Sequence, residues 1–166
     1  MARYSFGKET AMMKNNRKAA VLAFLLYCGF MLWLLFARQP NPAEVPFPVY
    51  LRAHMNLRPF RTIHLFSRLL VPPVREYLVR IAIRNLLGNI LLFTPLGIFL
   101  PVLFPPLRKF FRTVLSVTFI IAVIELCQLA LMVGSCDIDD LILNVSGAVL
   151  GYGLYRLFAL LRRKLD

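Results

Sequence analysis

The chain has 166 residues, of which 59% are hydrophobic and only 17% are charged. A soluble domain of this size could not bury so many apolar side chains, so the composition predicts one small integral-membrane domain. The net charge of +12 would suit a nucleic-acid-binding protein, but the basic residues flank apolar runs, where they suit membrane topology and lipid headgroups better. Three cysteines with no C-x-x-C or Cys/His spacing exclude a disulfide framework and indicate no metal site.

Four apolar runs of about 20 residues predict four transmembrane helices in a single domain. The first lacks a small-x-small cleavage pattern and exceeds a typical signal sequence in length, so we expect an uncleaved anchor. In the second run, Pro95 and Gly97 predict a kink or local unwinding. In the fourth, Gly147, Gly151 and Gly153 predict the close approach of another helix. The predicted spans are residues 19–37, 81–104, 113–133 and 141–161.

The positions of the basic residues predict the orientation. They concentrate in the N-terminal tail, in the loop between the second and third spans, and in the C-terminal tail, and all five lysines lie there. Four spans bring these three segments to one side, which we expect to be the cytoplasm. The turn at residues 134–140, with three acids and no base, then lies outside, and both termini lie inside.

The extracytoplasmic loop between the first two spans carries seven arginines. Its first part, QPNPAEVPFPVY, predicts an extended connector. Its later segments, FRTIHLFSRLL and VREYLVR, predict short amphipathic helices at the membrane surface. The arginines either contact the phosphates of membrane lipids in general or clamp one phosphate by bidentate hydrogen bonds. The candidates for phosphate contact are Arg58, Arg61, Arg68 and Arg84.

Polar side chains of three spans fall at similar depths in the outer half of the bundle. At a rise of 1.5 Å per residue, Glu125 and Asn89 each lie about 12 Å from the outer ends of their spans. A polar pocket that opens outward or sideways would keep such groups out of lipid, although hydrogen bonding between helices would do so as well. Asp137, Asp139 and Asp140 can cap the fourth span. The candidate pocket residues are Asn85, Asn89, Glu125, Gln128, Asp137, Asp140 and Asn144.

An ordered set of motifs over residues 56–155 resembles the VanZ family of small bacterial membrane proteins, which is associated with teicoplanin resistance. The motifs are Asn56-Leu57-Arg58-Pro59-Phe60, Asn89-x-x-x-Phe93-x-Pro95-x-Gly97, Glu125-x-x-Gln128, Asp137-Ile138-Asp139-Asp140-x-x-x-Asn144-x-x-Gly147 and Gly151-Tyr152. The resemblance implies a protein of the bacterial cell membrane that lowers sensitivity to teicoplanin-type lipoglycopeptides.

Three functions fit these residues. The first is a non-enzymatic protein whose outer-leaflet pocket binds a lipid-linked ligand, either a cell-wall precursor or the lipid tail of the antibiotic. The second is a membrane-embedded enzyme acting on a lipid phosphate or a peptidoglycan precursor, in which carboxylates act as acid and base or hold a divalent cation. The third is a bundle whose polar groups only join helices. No histidine, serine or cysteine is placed as a nucleophile, so we assign no catalytic residue, and we expect membrane lipids as partners, no nucleic acid and no cofactor.

Overall fold

Long apolar helices make up most of the chain in the computed structural model, which describes residues 2–37, 45–71 and 75–165. Two-residue strands, β1 (Met55–Asn56) and β2 (Cys136–Asp137), form a small parallel pair. A 3-10 turn at Pro105–Arg108 joins the fourth helix to the fifth. The helices are α1 (Ala2–Phe36), α2 (Phe47–His54), α3 (Arg61–Arg68), α4 (Glu76–Leu103), α5 (Phe110–Ala130) and α6 (Ile138–Leu165).

Four of these helices contain segments long and apolar enough to cross a membrane, which confirms the predicted all-α membrane fold. The segments are Arg17–Phe36, Glu76–Leu103, Phe110–Ala130 and Ile138–Arg162. The second begins earlier than predicted, so VREYLVR does not form a separate surface helix. Glu76 favours this earlier start, because an acid suits the first turn of a helix and here pairs with Arg80 at 2.6 Å.

The loop between α1 and α4 contains two short helices. Residues 38–44 of the predicted extended connector lie outside the described residues, and from Phe47 the chain is helical instead of extended. Pro48 is compatible with this, because proline in the first turn of a helix removes an N–H that would have no intrahelical partner. α3 occupies the FRTIHLFSRLL segment, and its position on the membrane surface stays a prediction.

α4 and α6 form the most extensive contact between helices in the described chain. Glycines bring the two backbones together, because a Cβ at Gly147 would overlap the carbonyl oxygen of Ile90, and one at Gly151 would overlap that of Thr94. The predicted close approach is therefore confirmed for these two glycines. The same prediction is wrong for Gly153, because a Cβ added there would have no heavy atom within 4 Å.

Gly97 contributes to the same contact from α4, where an added Cβ would overlap the carbonyl oxygen of Ala148. Although Pro95 and Pro101 lie inside α4, the helix runs without interruption from Glu76 to Leu103. The local unwinding predicted at Pro95 is therefore absent.

α1 lies at the edge of the bundle and is attached at few points. Within residues 17–36 only Met31 is buried. The Tyr27 hydroxyl donates to the Leu92 carbonyl oxygen at 2.7 Å, and the Tyr27 ring lies 5.8 Å from that of Phe99. Within residues 17–36, most side chains are therefore left uncovered by the rest of the described chain.

The glycine contact gives a direct test of the packing. We expect Gly151→Ala to lower the free energy of unfolding by roughly 1–3 kcal/mol, because the methyl group forces α4 and α6 apart. Thermal unfolding of the detergent-purified protein measures this. Gly153→Ala, two residues away on the same helix, is the matched control and should leave the unfolding temperature unchanged or slightly higher. Equal unfolding temperatures for the two variants would contradict the packing.

Candidate functional site

The arginine-rich loop and the acidic turn meet at one end of the bundle, which we call the loop face (residues 45–71 and 131–140). β1 and β2 pair there, with Met55 opposite Cys136 and Asn56 opposite Asp137. The start of the Asn56–Phe60 motif thereby lies beside the acidic motif, 81 residues further along the chain.

A tight turn after α5 makes this pairing possible. The Val133 N–H donates to the Gln128 carbonyl oxygen at 3.0 Å and the Met132 N–H to that of Leu129 at 3.1 Å. Together with the positive φ of 56° at Met132, these bonds form a Schellman motif, which ends a helix and reverses the chain. The Tyr50 hydroxyl donates to the Gly134 carbonyl oxygen at 2.6 Å and so joins the turn to α2.

The carboxylate of Asp139 caps a helix to which it does not belong. It accepts backbone N–H groups from Phe60 at 2.5 Å, Thr62 at 2.6 Å and Ile63 at 3.1 Å. These are donors at the N-terminus of α3 that have no partner within their own helix. Phe60 precedes α3 with a left-handed φ of 65°, a conformation that non-glycine residues adopt only when surrounding contacts enforce it. Asp139 is 0% exposed, so its charge is compensated by these donors.

Asp137 supports the same arrangement from beside Asp139. One of its oxygens accepts the Asp139 N–H at 2.9 Å, which is the cap of α6 that the sequence predicted. That oxygen also accepts the Asn56 side-chain amide at 3.0 Å, and the other accepts the Thr62 hydroxyl at 2.6 Å. We call Asp137 and Asp139 together the acid clamp, because they fasten β1 and α3 to the start of α6.

Two further acids lie next to the acid clamp. Glu125 is 6% exposed, and one of its oxygens lies 3.4 Å from the Asp137 backbone nitrogen. Asp140 and Asp137 are both close enough to act electrostatically on Glu125. Asp140 accepts the Asn89 side-chain amide of α4 at 2.6 Å. The predicted site residues Asn89, Glu125, Asp137 and Asp140 therefore come together, through direct hydrogen bonds and close carboxylates.

The other predicted pocket residues have different surroundings. The Gln128 side-chain amide donates to the Leu35 carbonyl oxygen of α1 at 2.8 Å, so it joins two helices. The side-chain oxygens of Asn85 and Asn144 are buried and have no hydrogen-bond partner. Within the described residues, no group of three or more His, Cys, Asp or Glu side chains is arranged to hold a metal ion.

The predicted site residues border two separate cavities. Asn89 lines a groove of about 450 Å³ between α1 and α4, with Arg84 at the same groove. Glu125 and Asp137 border a smaller cavity of about 200 Å³, whose other lining side chains are mostly apolar. Of the predicted phosphate contacts, Arg58, Arg61 and Arg68 are exposed on the loop face and Arg84 on α4. Whether these residues bind a ligand stays a prediction.

Sequence reasoning missed part of the acid clamp. Asp139 was expected only to cap its own helix, and Thr62 and Tyr50 were not considered. Asn56 belongs to the Asn56–Phe60 motif, and this motif could have indicated that Asn56 has a structural role. Nothing in the sequence marks Thr62 or Tyr50, because their partners lie in remote segments.

Cys136, a residue of β2, is half-buried. Burial raises the pKa of its thiol, and the charges of Glu125 and Asp137 raise it further. Because the thiolate is the reactive form, Cys136 should react slowly at neutral pH.

The acid clamp predicts a specific loss of stability. Asp139→Asn keeps the size of the side chain but replaces one acceptor oxygen by an N–H₂ group that faces backbone donors. We expect it to lower the free energy of unfolding by roughly 2–3 kcal/mol and to expose residues 55–71 to protease. Thermal unfolding and limited proteolysis measure both effects. The control is Glu76→Gln, since Glu76 is an exposed acid whose ion pair contributes little; similar behaviour of the two variants would contradict the clamp.

Comparisons with known proteins agree with the motifs. A family model described as VanZ/LLP1 matches residues 24–159, which extends the resemblance back into α1. Protein VanZ of Enterococcus faecium is 34% identical over 137 residues, covering 80% of this chain and 70% of that protein. No solved structure matches. The chain belongs to the VanZ/LLP1 family.

Proposed function

We propose that this protein lowers the sensitivity of a bacterial cell to teicoplanin-type lipoglycopeptides by binding a lipid-linked ligand at the loop face. The ligand would be a cell-wall precursor with a phosphate or pyrophosphate headgroup, and the protein would act without catalysis. Membership of the VanZ/LLP1 family supports the link to resistance.

This proposal rests on one observation, which is that the acidic side chains at the loop face are buried whereas its arginines are exposed. Asp137 and Asp139 are buried, at 8% and 0% exposure, and accept hydrogen bonds from the backbone and side chains of the loop. By contrast, Arg58, Arg61 and Arg68 are exposed on that loop. A guanidinium held on a fixed scaffold loses little entropy on binding and forms bidentate bonds to phosphate.

We further propose that the loop face lies outside the cell and both termini in the cytoplasm. The opposite end of the bundle supports this, because Arg17 and Lys18, Arg108 to Arg112, and Arg162 and Lys164 lie at the ends of the spans there. Clusters of lysine and arginine are typical of cytoplasmic segments.

Thiol labelling tests the orientation. In a protein whose other cysteines, Cys28 and Cys127, are replaced by serine, a membrane-impermeant maleimide should label Cys136 in intact cells. Because burial raises the pKa of this thiol, labelling should be slow at neutral pH and faster at about pH 9, where the thiolate fraction is larger. In a second protein, in which Cys136 is replaced by serine as well, a cysteine introduced by Arg162→Cys should stay unlabelled until the cells are permeabilised. If Cys136 also requires permeabilisation, the proposed orientation is wrong.

Susceptibility measurements test the function. In a teicoplanin-susceptible bacterium, the wild-type protein should raise the inhibitory concentration of teicoplanin more than that of a glycopeptide without a lipid tail. The double variant Arg58→Gln, Arg61→Gln should lose this protection at unchanged protein abundance. Each lost charge-assisted bond weakens binding by about 1.5–3 kcal/mol, or tenfold or more.

The matched control is Arg108→Gln, Arg112→Gln, which removes the same charge from exposed positions at the opposite end of the bundle and should keep protection. Mass spectrometry of the lipids retained by the purified protein should identify a lipid phosphate in wild type and less of it in the loop variant. Full protection by an abundant loop variant would contradict the proposal. Phosphate release from a lipid-linked precursor by the purified protein would contradict its non-enzymatic character.

A further inference from the structure

A groove runs between α1 and α4 on the side of the bundle. Its walls include Tyr27, Phe30 and Leu34 of α1 and Gly88, Leu91 and Pro95 of α4. Its volume is about 450 Å³, within the usual range for small-molecule sites. Phe30 and Leu91, on its two walls, are 56% and 67% exposed. The groove therefore opens sideways into the lipid that surrounds a membrane-spanning helix.

Gly88 leaves the α4 wall of this groove bare. A Cβ added there would have no heavy atom within 4 Å, whereas Gly97, further along the same helix, is packed against α6. The gap beside Gly88 is thus filled by no part of the described chain. Because atoms that line an empty gap lose their dispersion contacts, and lipid chains surround a membrane-spanning helix, a lipid chain is the natural occupant.

The same face of α4 changes from basic to apolar along its length. Arg80, Arg84 and Gly88 follow one another at intervals of four residues, so they share a face, and Leu91 and Pro95 continue it along the groove. Arg84 borders both the groove and a more polar depression that also contains Arg80 and Tyr77. Arg80 is paired with Glu76, so Arg84 is the basic residue at the point where this polar rim leads into the apolar groove.

The length of the strip fits one leaflet. From Arg84 to Pro95 is eleven residues, or about 16 Å of helix. This is close to half of the roughly 30 Å hydrocarbon core of a bilayer, which is the depth that one acyl chain occupies. A much longer polyprenyl chain would extend beyond the groove.

We propose that this groove binds one acyl chain of an anionic glycerophospholipid, with its phosphate held by Arg84. The lipid comes from the leaflet on the side of the loop face. The site and its ligand differ from those of the proposed function, and the inference does not rest on it. Arg84 lines a depression together with Tyr77 and Arg80, which lie nearer the N-terminus of α4, and arginines near the ends of membrane helices commonly reach toward the headgroup region in this way.

Native mass spectrometry of the detergent-purified protein, with added lipids of matched acyl chains, tests this proposal. Wild type should bind phosphatidylglycerol more tightly than phosphatidylcholine. Gly88→Leu should weaken phosphatidylglycerol binding by about tenfold, a factor that corresponds to about 1.4 kcal/mol, because the new side chain occupies the groove. Its unfolding temperature should be unchanged or higher, since leucine favours helix more than glycine does.

Two further variants make the outcome decisive. Gly153→Leu also places a side chain in open space, but on α6, and should bind phosphatidylglycerol as wild type does. Arg84→Gln should still bind lipid but lose the preference for phosphatidylglycerol over phosphatidylcholine. Undiminished binding by Gly88→Leu, no preference in wild type, or stronger binding of a polyprenyl phosphate would each overturn the proposal. Teicoplanin susceptibility is measured separately. Failure of the lipid-binding test would therefore not affect the proposed function, and loss of the proposed function would not affect the proposed lipid site.

Discussion

The buried carboxylate of Asp139 is the group on which the loop face depends. Three backbone N–H groups at the start of α3 converge on it, and its side chain is 0% exposed. A short helix of eight residues is marginal by itself, because helix nucleation is unfavourable and few intrahelical bonds follow. The cap supplied from α6 therefore gives α3 its position, and with it the position of the exposed arginines.

The position of Asp139 depends in turn on the contact between α4 and α6. Gly147 and Gly151 bring α6 against the backbone of α4, which fixes the height and rotation of α6 in the bundle. The same arrangement brings Asp140 to the Asn89 amide. Backbone packing in the apolar part of the bundle thus determines where the carboxylates of the loop face lie. A substitution at one of these glycines should therefore displace the carboxylates of the loop face, although neither glycine contacts them.

Much of the fold could be predicted from the sequence, because the apolar runs and the depth of polar residues are local properties. The sequence predicted a common depth for Asn89 and Glu125, whereas the structure joins Asn89 to Asp140 at the start of α6. By contrast, two-residue strands have no periodicity to detect, so the pairing of Asn56 with Asp137 was not predictable. An acid at the start of a helix commonly caps that same helix, so Asp139 was assigned to α6. Its role in capping α3 could not be read from the sequence. Gly88, Gly151 and Gly153 look alike in the sequence, and only the structure distinguishes a packed glycine from one beside a groove.

Amide hydrogen exchange at the start of α3 tests the acid clamp most directly. If the clamp holds the loop, the amides of Thr62 and Ile63 exchange slowly in the purified wild-type protein, although α3 itself is largely exposed. In Asp139→Asn the same amides should exchange much faster, while those at the centre of α4 remain protected. Fast exchange of Thr62 and Ile63 in the wild-type protein, or equal rates in the two proteins, would contradict the central role of Asp139.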